Sequence, residues 1–182
     1  MTAQLSRRLA ELFTWVDPGP HSSHLVSDTS GWWRDPEILA GIGPALVAPF
    51  RAAQPTVVVA PAVTGLLLGP LAAAALGTGF VVAHKPADRR LPGSVTWADS
   101  PPDYRGRRVR LGILDRHLGA GDRVLVVDDW VASGAQLRAV RDICAVRDAQ
   151  WVGSAALVAD CPTDAVRELR LHALLRATDL HP

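Results

Sequence analysis

The sequence predicts an α/β fold, a mainly parallel central sheet flanked by helices on both faces. Two features of the chain predict it. Continuous apolar runs rich in β-branched residues, "TVVVA" (Thr56 to Ala60), "GFVVAH", "RVLVVDD" and "VGSAALVA", have the composition of strands buried on both faces. They alternate with stretches of helical periodicity, and each strand-helix-strand step implies a right-handed crossover between parallel neighbours.

In chain order, Leu5, Leu9, Leu12 and Val16 recur at helical spacing until Asp17-Pro18-Gly19-Pro20 stops the helix. "HSSHLVSDTSGWW" has no period and reads as loop with short extended pieces. Asp35 suits an N-cap with Pro36 in the first helical position, and Ile38, Leu39, Ile42, Leu46 and Phe50 form one apolar stripe. Thr56 to Ala60, a helix from about Gly65 to Leu76, and "GFVVAH" make a β-α-β unit of two such strands. Lys85 to Gly106 breaks the rhythm, with prolines, Arg89, Arg90, Arg105 and few apolar residues in any period. A long irregular stretch in a compact domain is more often a functional lid than idle linker, so a lid is expected over about 86–106, with "RVRLGIL" as its return strand. "RVLVVDD", a helix presenting Leu137, Val140, Ile143 and Cys144, the strand "VGSAALVA", a short helix from about Thr163 and the extended "LHALL" close the chain. No internal repeat is visible.

Length and charge narrow the function. At 182 residues the chain suits one domain, residues 1–182, large enough to bury a core without crosslinks. Lys plus Arg number 19 and Asp plus Glu 18, so net charge points to neither a nucleic-acid nor a membrane partner. Cys144 and Cys161 lack metal or CxxC spacing, as expected of a reduced cytoplasmic protein. The N-terminus has no unbroken apolar segment, and Ala60 to Ala83 is interrupted by Pro70, Gly77 and Gly79, so neither a signal peptide nor a membrane span is expected. The six histidines show no ligand spacing.

The chemistry concentrates in "RVLVVDDWVASGAQ", where Asp128 and Asp129 end a strand and Ser133-Gly134-Ala135 open the next helix. In open parallel sheets ligands sit beyond the carboxyl ends of strands, where a helix start offers free N–H groups to an anion. Carboxylates repel phosphate, so beside such a cradle they suit sugar hydroxyls or the waters of a divalent cation. A ribose phosphate answers both halves of the motif. An acidic strand cap followed by a helix-starting glycine answers the spacing equally well.

"VLVVDDWVASGA" resembles the phosphoribosyl-pyrophosphate (PRPP) signature of type I phosphoribosyltransferases: apolar strand, two acidic residues, two mostly apolar positions, a small residue, Ser or Thr, Gly, a small residue. "VVVAPAVTGLLLGPLAAAALGTGFVVAHKP", Leu91-Pro92 and "GDRVLVVDD" resemble the adenine members in order, and "VSDTSGWWRDP" falls at their base-recognition segment. The resemblance spans about Val16 to Ala159, is nearest in pattern to the adenine and partly to the xanthine enzymes, and implies that family's fold, with a flexible lid and a small N-terminal hood over residues 1–35 preceding the core at 36–182.

The resemblance also implies roles. Asp128 and Asp129 would take the ribose hydroxyls of PRPP, and Ala132, Ser133, Gly134, Ala135 and Gln136 its 5-phosphate. Mg²⁺ would be held through PRPP and waters near Asp128 and Asp129, with no direct protein ligand. Ala62, Val63 and Thr64 would form the pyrophosphate turn, often containing a cis peptide in relatives, with Lys85, Arg89 and Arg105 as cations. Leu25, Val26, Ser27 and Trp130 would face the base; Asp103, before Tyr104, and Lys85 would be the catalytic candidates. The activity implied is Mg-dependent transfer of a phosphoribosyl group from PRPP to a purine or purine-like base, in a homodimer. Three positions depart from the pattern. Ala135-Gln136 stands where a hydroxyl residue is usual, Ala62-Val63-Thr64-Gly65 lacks the Glu-x-Arg-Gly cation, and Ser27 replaces the adenine family's arginine. These departures leave open a non-catalytic PRPP-binding regulator. Trp32-Trp33 could stack on a planar base, although two adjacent tryptophans usually place at least one in the core or at an interface. Trp130 suits base stacking or core packing alike. Arg107 and Arg108, like Arg89, Arg90 and Arg105, read first as solvated charges, with one or two able to substitute for the missing turn cation.

Overall fold

The computed structural model describes residues 2–20, 25–87, 91–102 and 106–180. The chain opens with α1 (Thr2–Glu11), β1 (Thr14–Val16), β2 (Val26–Asp28), α2 (Ser30–Arg34) and α3 (Pro36–Val47). It continues with β3 (Val57–Pro61), α4 (Gly65–Leu76), β4 (Gly79–Ala83), β5 (Val95–Asp99) and β6 (Arg110–Leu114). The last elements are β7 (Arg123–Val131), α5 (Ala135–Val146), β8 (Gln150–Ala159), α6 (Thr163–Glu168) and β9 (Leu171–Arg176).

Five strands form one all-parallel sheet in the order β4-β3-β7-β8-β9. Alternation divides their side chains between two cores. Val58, Leu125 and Val127 face α3 and α4 with Ile42, Leu46 and Leu68, while Val57, Val124 and Val126 face α5 with Leu137, Val140 and Ile143. Truncating a fully buried leucine such as Leu125 to alanine costs about 2–5 kcal/mol, because a lost transfer term adds to a cavity. From β3 the chain crosses through α4 to β4 on one side; from β7 it crosses through α5 to β8 on the other. β3 and β7 are neighbours, so the connections diverge between them and open a crevice at their carboxyl ends.

The N-cap at Asp35 forms as expected, its Oδ1 accepting from the Glu37 and Ile38 N–H groups at 2.9 and 3.1 Å. The helix expected to run to Asp17 instead ends at Glu11. Val16 keeps helical spacing from Leu12, yet it lies in β1, which pairs antiparallel with β2 and is tied down where the Trp15 indole donates to the Leu180 carbonyl at 2.6 Å. β4 was expected to be buried like β3, but it is the sheet's edge and is mostly half-buried. The lid stretch holds more structure than its prolines suggest: β5 pairs antiparallel with β6, and Trp97 covers Gly112 so closely that a Cβ there would collide with the indole. His84 and Gly112 exchange backbone hydrogen bonds at 2.8 and 2.9 Å, fastening this hairpin to the end of β4. Among the described residues no helix is long and apolar enough to cross a membrane.

Candidate active site

At the diverging ends of β3 and β7 two cavities share one wall. The larger, about 410 Å³, holds Asp128, the turn Ala132 to Gln136, Lys85, Arg107 and Arg108. The smaller, about 270 Å³, lies under the hood and holds Ser27, Thr29, Trp33, Thr64 and Asp129. Trp130 lines both.

β7 runs through the acid pair to Val131. Strand alternation sends adjacent side chains to opposite sides, so Asp128 opens into the larger cavity and Asp129 into the smaller. Asp128 is 4% exposed. Burial, then the neighbouring Asp129 charge, push its carboxyl well above the usual carboxylate range, while Lys85 pulls in the opposite direction. Its Oδ1 accepts the adjacent Asp129 N–H at 3.0 Å. A buried carboxylate with spare lone pairs is poised for a donor from outside the protein, such as a hydroxyl or a metal-bound water.

The turn after β7 is shaped by Gly134, whose φ of +72° lies in the left-handed region and which directly precedes α5. The Ser133 hydroxyl accepts from the Ala135 N–H at 3.3 Å. The Gln136 side-chain oxygen is buried without a partner among the described residues, at the wall of the same cavity. The turn thus gathers N–H groups, a hydroxyl and an amide at the positive end of α5, with Lys85, Arg107 and Arg108 facing them. This arrangement can hold a strongly anionic ligand beside two carboxylates.

The expected residues are not all brought together. Lys85, Asp128, Trp130 and Ala132 to Gln136 share the larger cavity; Ser27, Thr64, Asp129 and Trp130 share the smaller. Ala62 and Val63 form the turn into α4, joined by a cis peptide, with Val63 72% exposed, and neither lines a cavity wall. Leu25 and Val26 are exposed and also stand outside the hood cavity. Arg89, Asp103 and Arg105 lie outside the described residues. Arg107 and Arg108, read first as solvated charges with substitution for the turn cation as the alternative, line the larger cavity. Thr29 and Trp33 belong to "VSDTSGWWRDP", the segment set by resemblance at the base, and the hood's fold turns them inward.

The two tryptophan readings resolve differently. Trp32 is core, its indole donating to the Leu9 carbonyl at 2.7 Å, and Trp33 is half-buried; both line the smaller cavity. Trp130 both packs and lines: its ring lies 6.2 Å from Phe13 and 6.0 Å from Trp15, and its indole N–H reaches Asp160 at 3.3 Å. Cys144 is buried, which pushes its thiol up to about 12, and Cys161 is half-buried with its thiol also raised by burial; both are free.

Comparison with known proteins agrees with this geometry. Residues 35–170 match the model of the phosphoribosyl transferase domain. An adenine phosphoribosyltransferase of Methylococcus capsulatus is 34% identical over 160 residues, 86% of this chain and 91% of that protein. A xanthine phosphoribosyltransferase of Deinococcus deserti is 31% identical over 123 residues, 68% of this chain and 64% of that protein. Among solved structures, adenine phosphoribosyltransferase from Trypanosoma brucei superposes with a TM-score of 0.82 at 19% identity, covering 97% of this chain and 81% of that one. The Rhodothermus marinus enzyme gives 0.79 at 24% identity, covering 96% and 99%. The domain match, extending over three quarters of the sequence and containing the carboxylate pair, the Ser133-Gly134 turn and both flanking helices, establishes that this chain belongs to the phosphoribosyltransferase family and is an enzyme of that type.

Proposed function

We propose that the enzyme transfers the 5-phosphoribosyl group of PRPP to a ring nitrogen of a purine, adenine before xanthine, releasing pyrophosphate with Mg²⁺. The observation that carries this reading is the pair of cavities divided by Trp130, one fitted to a sugar phosphate and one to a flat ring. The adenine enzymes among its relatives support the choice of base: one from Serratia proteamaculans is 32% identical over 95% of this chain.

The 5-phosphate sits at the N-terminus of α5 against the Ser133-Gly134 turn, and the sugar hydroxyls donate to Asp128 and Asp129. Trp130 and Trp33 offer aromatic faces to the base, and Ser27, Thr29 and Thr64 offer hydroxyls that donate or accept at its edge. Lys85, Arg107 and Arg108 bear on the pyrophosphate as negative charge builds on it. Binding both reactants across one wall aligns the base nitrogen with the sugar's reacting carbon, and positioning of this kind is the main catalytic contribution available to these residues. The lid over 86–106, with Asp103 as its acidic candidate, is assigned to closure and water exclusion.

Hard oxygen donors at Asp128 and Asp129 fit Mg²⁺. Asp128 and Asp129 would hold Mg²⁺ through substrate oxygens and waters, and the ion would supply charge neutralisation for the pyrophosphate. A homodimer belongs to the same proposal and is checked by sedimentation.

Pyrophosphate release from PRPP and Mg²⁺, measured across adenine, hypoxanthine, guanine, xanthine and pyrimidines, tests the reading. Adenine is expected to give the highest kcat/KM. Turnover with a pyrimidine alone would overturn the base assignment, and tight PRPP binding without turnover on any base would select a regulator instead.

A further inference from the structure

One turn into α5, beyond the signature itself, stands Arg138. Its Nη1 donates to the Ser133 carbonyl at 2.7 Å, and its backbone N–H donates to the Gly134 carbonyl at 3.0 Å. The other side of its guanidinium is gripped by Glu168 at the end of α6, with Nη2 at 2.6 Å from Oε2 and Nε at 3.1 Å from Oε1. Arg141 reaches the same carboxylate at 3.1 Å. Both partners register the pairing: hydrogen bonding to Glu168 raises the Arg138 guanidinium, and hydrogen bonding to Arg138 lowers the Glu168 carboxyl to about 2. Leu169, the next residue, packs so closely under Gly134 that a Cβ there would collide with it.

The Ser133-Gly134 peptide is the critical plane of the phosphate turn. In a trans peptide the C=O and N–H point in opposite directions. With its carbonyl drawn to Arg138, the plane must aim the Gly134 N–H away from α6. Without that anchor the plane can rotate, because glycine tolerates the alternative backbone conformations, and a rotated plane would present a partial negative charge to a phosphate.

We infer that Arg138, oriented by Glu168, is a positioning residue for the 5-phosphate: it turns the Ser133-Gly134 peptide so that the Gly134 N–H faces the ligand. This rests on the phosphoribosyl reading above. Glu168 supplies orientation across α6 and Arg138 supplies the contact, so the cradle is held by a helix that contributes no ligand of its own.

Calorimetry on the full chain with two fragments of the substrate separates this from a general structural role. Ribose 5-phosphate reports the cradle, and Mg-pyrophosphate reports the rest of the anion cavity. Arg138→Gln is expected to weaken ribose 5-phosphate by about tenfold to a hundredfold, the scale of a lost charge-assisted contact, with pyrophosphate affinity held within about twofold. Glu168→Gln, which keeps the arginine and loses its orienting partner, is expected to give the same selectivity at about threefold to tenfold. In steady state both raise KM for PRPP more than they lower kcat, and Arg138→Lys restores part of the loss. Should Arg138→Gln fail to fold, Glu168→Gln carries the test. Equal weakening of both fragments, or of neither, overturns the inference while leaving the phosphoribosyl reading intact. A wild-type protein that binds neither fragment nor PRPP overturns both.

Discussion

The two strand-to-helix turns at the centre of the sheet are built on one plan and finished differently. β3 runs into α4 through Ala62-Val63-Thr64-Gly65, and β7 runs into α5 through Ala132-Ser133-Gly134. Both turns stand at carboxyl ends of adjacent parallel strands, where the fold supplies an anion site at no cost in side chains. The β7 turn adds a buried carboxylate before it, a hydroxyl within it and an arginine behind it. The β3 turn adds nothing charged, and Val63 projects into solvent. The backbone therefore sets where an anion can sit, while side chains decide how tightly and in which orientation. On the function proposed above, the β7 turn serves the sugar phosphate, and the pyrophosphate is left to backbone groups and to cations from β4's end and the approach to β6.

Removing the carboxylates should have the largest effect. Asp128→Asn combined with Asp129→Asn is expected to lower PRPP affinity by about a hundredfold or more, since two charged acceptors are lost together; calorimetry with PRPP and Mg²⁺ measures it, and unchanged affinity would end the sugar-binding assignment. Asp128 also fixes a pH dependence. Its folded carboxyl is raised, so ionisation is completed only above the ordinary range, and PRPP affinity falls as pH drops through that raised value. Stability runs the opposite way: a raised carboxyl favours the fold below its unfolded value and loses that contribution as pH rises through the folded one. Asp128→Asn alone should therefore raise the melting temperature at pH 7 while impairing binding; a lower melting temperature would contradict the burial argument.

A smaller loss is expected from reshaping the same turn. Gly134→Ala forces a side chain into left-handed backbone, about 1–2 kcal/mol, and against Leu169, so KM for PRPP should rise about tenfold or more, with a wild-type value breaking the claim that this turn is the cradle. The smallest effect belongs to the plain turn. Thr64→Arg supplies a cation at the turn that the resembled Glu-x-Arg-Gly pattern would have there, and Mg-pyrophosphate binding is expected to tighten about threefold; no gain would mean that Lys85, Arg107 and Arg108 already complete the proposed site.

The same contrast explains what could be read from the chain. The sheet, α4 from Gly65 to Leu76, the Asp35 cap and the Gly134 turn into α5 were legible because each rests on local signals: β-branched runs, a capping pair, a signature in one unbroken segment. The hood was not. Val16 carries helical spacing but is claimed by strand pairing with Val26, and Thr29 and Trp33 reach the cavity only because α2 folds back onto α3. β5 hid among prolines because a two-stranded hairpin needs only five residues and one covering tryptophan. Arg138 was invisible for a further reason: its value depends on Glu168, thirty residues away, and no local pattern records a partner at that distance.

Trp130 has a practical consequence. Its indole forms a wall of both cavities and stands 6.0 Å from Trp15 in the hood, so ligand entering either cavity replaces water against the same ring. The enzyme carries its own optical probe. Intrinsic fluorescence can follow sugar phosphate and base separately, in either order of addition and without a label, and a Trp130→Phe variant shows which part of the signal comes from that wall.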